Sequence, residues 1–118
     1  MNPWNYSDYR KSVESDVAQG IEELEFTVSE SIGYATDQLL LRLDEFPDEN
    51  VMALTALAIA ANQRGTLSSY SDESEFRKEL VQAYANGEHV AIAEKLDPLQ
   101  KKEFLNDVGI VSKVLDIC

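Results

Sequence analysis

The sequence has few of the residues on which the chemistry of small proteins depends. Its 118 residues include one cysteine, one histidine, three prolines and five glycines, none adjacent to another glycine. A single cysteine, Cys118, excludes an intramolecular disulfide. Zinc sites need grouped Cys and His, which the sequence lacks. It also lacks the Glu-x-x-His pair of di-iron helical bundles, a calcium-binding loop and a phosphate-binding glycine loop. We therefore expect no enzyme activity, metal or cofactor, and place His89 at the edge of a short helix.

Basic residues are also scarce. Ten Lys and Arg stand against 22 Asp and Glu, so the formal net charge is -12. A nucleic-acid-binding surface must be basic to contact phosphates, and an anionic membrane repels a chain of this charge. The composition argues against direct binding to nucleic acid and against docking on a membrane.

No apolar run is long enough to cross a bilayer. The longest, over residues 51–61, is interrupted by Thr55, whereas a transmembrane helix needs about 20 apolar residues. The first residues have neither the basic nor the apolar region of a signal peptide. Since 44% of the residues are hydrophobic, the chain can bury one core. The expectation is a single cytoplasmic domain.

Helical periodicity is the strongest pattern present. Apolar residues recur every three or four positions from Tyr9 to Ile32, which predicts one long amphipathic helix over 8–32. Residues 34–46 are predicted to form a second helix, or a kinked continuation beyond Gly33, that ends at Pro47. The Ala-rich segment 51–63 is apolar nearly all round, which predicts the central helix.

Capping residues divide the remainder of the chain. Ser71 or Ser74 is predicted to cap the next helix, and Asn86-Gly87 to end it. A short helix over 88–96 follows, and then Asp97-Pro98 opens another that ends near Gly109, with further helical turns over 110–118. No convincing strand is present. The predicted fold class is all-α, a single compact domain of five to seven helices around the Ala-rich helix.

Two aromatic features have alternative interpretations. Trp4, Tyr6 and Tyr9 are grouped near the N-terminus, and we expect them to close the core rather than to offer a contact surface. Phe26 lies opposite the apolar stripe of the predicted first helix, among acids. It is predicted either to pack under a second element or to be an exposed anchor for a protein partner.

The excess of acids is concentrated in the first part of the chain. Residues 1–47 contain ten acids and three bases, whereas residues 88–118 contain six and four. On the predicted first helix the acids cover most of the exposed arc, with few lysines four residues away to compensate them. The candidate protein-binding residues are Glu14, Glu22, Glu23, Glu25, Phe26, Glu30, Asp44, Glu45, Asp48 and Glu49.

These features predict a non-enzymatic protein-binding module whose acidic face engages a basic partner. An inhibitor or immunity-type protein that blocks a nuclease, or another nucleic-acid-binding protein, would use such a face, because carboxylates placed where phosphates bind give fast, salt-sensitive association. In size, charge and helicity the chain is similar to small phage-encoded DNA mimics and to bacteriocin immunity proteins. Two alternatives remain open: an acidic surface that only keeps the protein in solution, and a structural or regulatory protein that forms a homodimer through its apolar stripe and residues 39–43.

Overall fold

The computed structural model describes residues 5–69 and 74–116. Within these ranges no strand occurs, and two 3₁₀ turns, Pro47–Glu49 and Leu67–Ser69, flank the third helix. The six α-helices are α1 (Tyr6–Glu22), α2 (Val28–Glu45), α3 (Asn50–Gln63), α4 (Glu75–Ala85), α5 (Glu88–Ala93) and α6 (Pro98–Val114). The predicted all-α fold and its number of helices are confirmed.

α3 is the central helix, as its composition predicts. Every residue from Val51 to Ala61 is buried, and each of the other five helices contacts α3. Its alanines leave room for close approach of the neighbouring helices. Its one buried hydroxyl, on Thr55, is hydrogen-bonded to the hydroxyl of Tyr84 at 2.8 Å. None of the described helices is long and apolar enough to cross a membrane.

The prediction of one helix over 8–32 is wrong, because the chain turns back between α1 and α2. Thr27 is the N-cap of α2: its hydroxyl accepts from the Glu30 N–H at 3.2 Å, and the Glu30 carboxylate accepts from the Thr27 N–H at 3.0 Å. This capping box starts a new helix. The apolar period passes across the turn because α1 and α2 pack on each other and both pack on α3.

Two glycines that were expected to interrupt helices lie inside them. Gly33 is within α2, and α6 continues past Gly109 to Val114. A glycine inside a helix costs only about 1 kcal/mol. The burial of Phe104, Val108 and Val111 outweighs this cost, so α6 does not end where the sequence indicated.

Several predicted helix ends are confirmed. The Asp97 carboxylate accepts from the Gln100 N–H at 2.9 Å at the start of α6. Ser74 caps α4 by accepting from the Arg77 N–H at 3.1 Å, and Gly87 has a φ of 73° after α4. The predicted short helix ends at Ala93 rather than at residue 96.

The N-terminal tyrosines close the core, as expected. Tyr6 and Tyr9 are fully buried, and the ring of Tyr6 lies 5.0 Å from that of Phe104. Trp4, Ser71 and Cys118 lie outside the described residues.

Candidate protein-binding site

Four candidate carboxylates lie together in the turn between α1 and α2. Glu22, Glu23, Glu25 and Glu30 are all exposed, and residues 22–30 contain no Lys, Arg or His. We call residues 22–30 the acidic turn. The carboxylates share a tight reversal of the chain instead of the helix face that the sequence predicted.

The acidic turn has a defined backbone conformation. The Phe26 N–H donates to the Gly20 carbonyl at 2.9 Å, beyond the end of α1. Glu25 has a φ of 57°, the left-handed region in which a non-glycine residue costs about 1–2 kcal/mol. The ring of Phe26 is half-buried and lies 6.0 Å from that of Tyr34, edge to face. Phe26 therefore packs against α2, which was the first of its two predicted roles.

Glu30 is held in place by the cap that it helps to form. The hydrogen bonds from the Thr27 N–H and then from the Thr27 hydroxyl lower the pKa of the Glu30 carboxyl below its usual value. The same contacts hold the Glu30 carboxylate beside Thr27. Leu24, between the four acids, is 43% exposed, which places an apolar side chain within the charged surface.

Three other candidates form a separate group at the opposite end of α2. Asp44, Glu45 and Asp48 are exposed, and Asp48 is 3.8 Å from the Lys95 ammonium. Glu30 and Asp44 are 14 residues apart on α2, which corresponds to about 21 Å along the helix. The predicted residues therefore make two acidic clusters rather than one continuous face.

Glu49 is not a surface residue, so its assignment to the binding face is wrong. It is 4% exposed and accepts from the Tyr9 hydroxyl at 2.5 Å and from the Arg42 guanidinium at 3.4 Å. Burial and then the Glu49 hydrogen bond raise the pKa of Tyr9 above its ordinary value. Arg42 also lies over the Phe46 ring, at 4.7 Å. Glu49 ties α1 to the end of α2.

Glu14 is engaged within the fold as well. Its two carboxylate oxygens accept from the two terminal nitrogens of Arg64, at 3.2 and 3.1 Å. The two side chains keep 35% and 22% of their exposure, in that order. This pair joins α1 to the residue after α3, so Glu14 is a packing contact that remains only partly available to a partner.

All four arginines bond to other groups of this chain. The lysines are therefore the basic residues available at the surface. Arg10 pairs with Asp107 at 2.6 Å, and Arg77 donates to the Leu115 carbonyl at 2.9 Å; Arg42 and Arg64 hold the carboxylates described above. In the described ranges sixteen carboxylate residues are exposed against six lysines. The surface is therefore strongly acidic even where bases are present.

The single histidine lies at the corner between α4 and α5. The His89 ring is 5.0 Å from the Tyr84 ring, its Nδ1 is buried without a hydrogen-bond partner, and burial lowers its pKa. Across the described ranges, no three His, Cys, Asp or Glu side chains are grouped to hold a metal ion.

Sequence reasoning missed an apolar groove between α2, α3 and α4. Its volume is about 600 Å³, and Leu40 at its wall is 52% exposed. The signal in the sequence was the run of leucines over 39–43, which is more than one face of a helix can bury. The sequence alone does not show which of these leucines lie in the core, which line the groove and which face solvent.

No protein-family model, curated protein or solved structure matches this chain. Its function must therefore be inferred from its own residues and contacts.

Proposed function

We propose that the protein is a non-enzymatic protein-binding module whose acidic turn engages a basic partner protein. The observation that supports this is the concentration of four exposed carboxylates in a turn without a base, on a surface where carboxylates far outnumber lysines. A nuclease or another nucleic-acid-binding protein is the class of partner that fits, since its phosphate-binding surface is basic. The protein would then act as an inhibitor or immunity-type protein.

The conformation of the acidic turn suits this role. Its backbone is held by the capping box at Thr27 and by the contact of Phe26 with Tyr34. A preordered turn loses little conformational entropy when it binds. Its charge would steer a basic partner and speed association, while exposed Leu24 offers an apolar contact at the centre of the charged surface.

The test compares two variants that each remove three charges. The turn variant carries Glu22→Gln, Glu23→Gln and Glu25→Gln; the control carries Glu94→Gln, Glu103→Gln and Asp116→Asn, at exposed positions elsewhere. Each protein is immobilised, incubated with native lysate at low salt and eluted with a salt gradient. We expect wild type and control to retain basic proteins that elute early in the gradient, and the turn variant to lose them.

The outcomes distinguish binding through the overall negative charge from binding at the acidic turn. The free turn variant should melt no lower than wild type, because like charges are removed. Equal retention by the turn variant and the control would exclude the acidic turn as the binding site. Retention of no basic protein by wild type at low salt would contradict the proposed function.

Self-association is the alternative function, and the exposed leucines of α2 favour it. Leu41 is 84% exposed and Leu40 is 52% exposed. The affinity of an apolar homodimer stays constant or increases as the salt concentration rises. The affinity of a complex held together by opposite charges decreases. Sedimentation velocity of the free protein at low and high salt distinguishes the two.

A further inference from the structure

The groove between α2 and α4 is lined along about two helical turns of α2 and of α3. Its walls include residues 36–43 of α2 and its floor residues 50–57 of α3, and each segment extends about 10 Å, or two helical turns. Its volume of about 600 Å³ lies in the roughly 300–1,000 Å³ range of ligand-binding pockets. This length allows two turns of an α-helix to lie along the groove with one face against its floor.

The floor of the groove is apolar and rigid. Leu39, Leu54 and Leu57 line it and are 2%, 4% and 1% exposed. They belong to the core that α2 and α3 share, so they are held in place before anything binds. Leu40 stands at the open edge and is half-exposed. Such a floor with a polar rim is the arrangement of a helix-binding groove.

The rim of the groove is acidic. Glu79 and Glu88 line it, together with a single base, Lys78, among its described residues. Asp37 and Asp44 lie one turn before and after Leu40 on α2, and helical spacing places Glu75 one turn before Glu79 on α4. All of these side chains are exposed. The groove is thus lined by two carboxylates and one ammonium group, and three further carboxylates lie within one helical turn of its lining residues.

The charge of this rim identifies the kind of occupant. Lysine and arginine side chains complement this excess of carboxylates at and near the rim, whereas a second copy of this chain would bring its own acids to the same place. We infer that the groove binds one face of an amphipathic helix from the basic partner, with apolar residues spaced as i, i+3 or i+4, and i+7 on the floor. Its Lys and Arg flank that face. The inference depends on the proposed function only in taking the partner to be basic.

A peptide selection tests the inference without knowledge of the partner. A displayed library of random peptides of about 14 residues, or four helical turns, is selected on the immobilised full chain at low salt. The enriched peptides are synthesised with a fluorescent label and titrated against wild type, Leu40→Arg and Leu41→Arg. We expect enrichment of amphipathic helices that carry apolar residues at helical spacing, flanked by Lys or Arg.

The two arginine variants form a matched pair. Leu40 and Leu41 are adjacent and exposed, but only Leu40 is among the residues that line the groove. Both variants add the same charge, and both should fold, which melting curves check. We expect Leu40→Arg to weaken binding of the selected peptides by roughly tenfold or more, because the longer charged side chain obstructs the edge of the groove, and Leu41→Arg to weaken it by less than about threefold.

The other outcomes separate this inference from the proposed function. Basic peptides that bind Leu40→Arg normally but lose affinity for the Glu22→Gln, Glu23→Gln, Glu25→Gln protein would overturn the groove and leave the acidic turn as the site. Enriched peptides without basic residues would contradict both the groove inference and the proposed function. No enrichment would also overturn the groove, as would a homodimer that strengthens with salt and that Leu40→Arg dissociates.

Discussion

Glu49 and Arg42 form a buried ion pair that the sequence around them does not reveal. Glu49 follows Pro47 and the exposed Asp48, and Arg42 stands between leucines. Both are more than 90% buried, and the pair sits against the Tyr9 hydroxyl. Taking two charges out of water is costly, so each depends on the other and on the hydrogen bonds around them.

Removal of both partners should therefore cost less than the sum of the two single removals. We expect Glu49→Leu to lower the free energy of unfolding by about 3–5 kcal/mol, because the Arg42 charge loses its counterion, and the Arg42→Met, Glu49→Leu double variant to lose less than the sum of the single changes. Urea unfolding of wild type, Glu49→Leu, Arg42→Met and the double variant measures this coupling. The control, Asp48→Asn, removes an exposed acid and should change stability by less than about 1 kcal/mol. Additive losses would contradict the pairing.

The packing of α1 on α2 depends on a glycine at the contact. A Cβ on Gly20 would lie 2.6 Å from the Ser31 hydroxyl oxygen, and Ser31 is fully buried. The two helices approach each other where α1 has no side chain. This contact sets the position of the acidic turn, since both helices lead directly into it.

A change from glycine to alanine usually stabilises a helix, but at this contact we expect it to lower the stability. Gly20→Ala is expected to lower the free energy of unfolding by about 1–3 kcal/mol, because the added carbon overpacks the interface. Gly33→Ala is the matched control: a Cβ there meets nothing within 4 Å, and the change should stabilise α2 by about 0.5–1 kcal/mol. Chemical denaturation measures both. A stabilised Gly20→Ala protein would show that the two helices are farther apart.

The molecule has a compact core and a surface whose charge is predominantly negative. The radius of gyration is 13.4 Å, close to the roughly 13.5 Å expected for a globular domain of this length. The four arginines bond within the chain, and the excess acids remain outside. A high charge of one sign lowers the stability of a compact state through self-repulsion.

Salt should therefore stabilise the free protein. Between about 0.01 M and about 0.5 M salt the Debye length falls from about 30 Å to less than 10 Å, which screens repulsion between exposed acids. We expect the free energy of unfolding to rise on the order of 1 kcal/mol, measured in urea, and to rise less in the Glu22→Gln, Glu23→Gln, Glu25→Gln protein. A fall in stability with salt would mean that exposed ion pairs outweigh the repulsion.

The sequence by itself determined the helical fold class, the central position of α3 and most helix starts. These follow from local causes: the period of the apolar residues, and side chains such as Asp97 and Ser74 that cap the N–H groups nearest to them. The excess of acids was also visible without a structure. It did not determine where those acids lie.

Only the tertiary structure decided which acids face solvent and which bond to other side chains of the fold. The apolar period crosses the turn at Thr27 without a change of phase, so it could not separate one helix from two packed on α3. The sequence predicted Glu49 and Glu14 to be surface acids because Tyr9 and Arg64, to which they bond, lie 40 and 50 residues away. Local patterns do not reveal the groove for the same reason: residues of α2, α3 and α4, with Glu88 of α5, come together only in the folded chain.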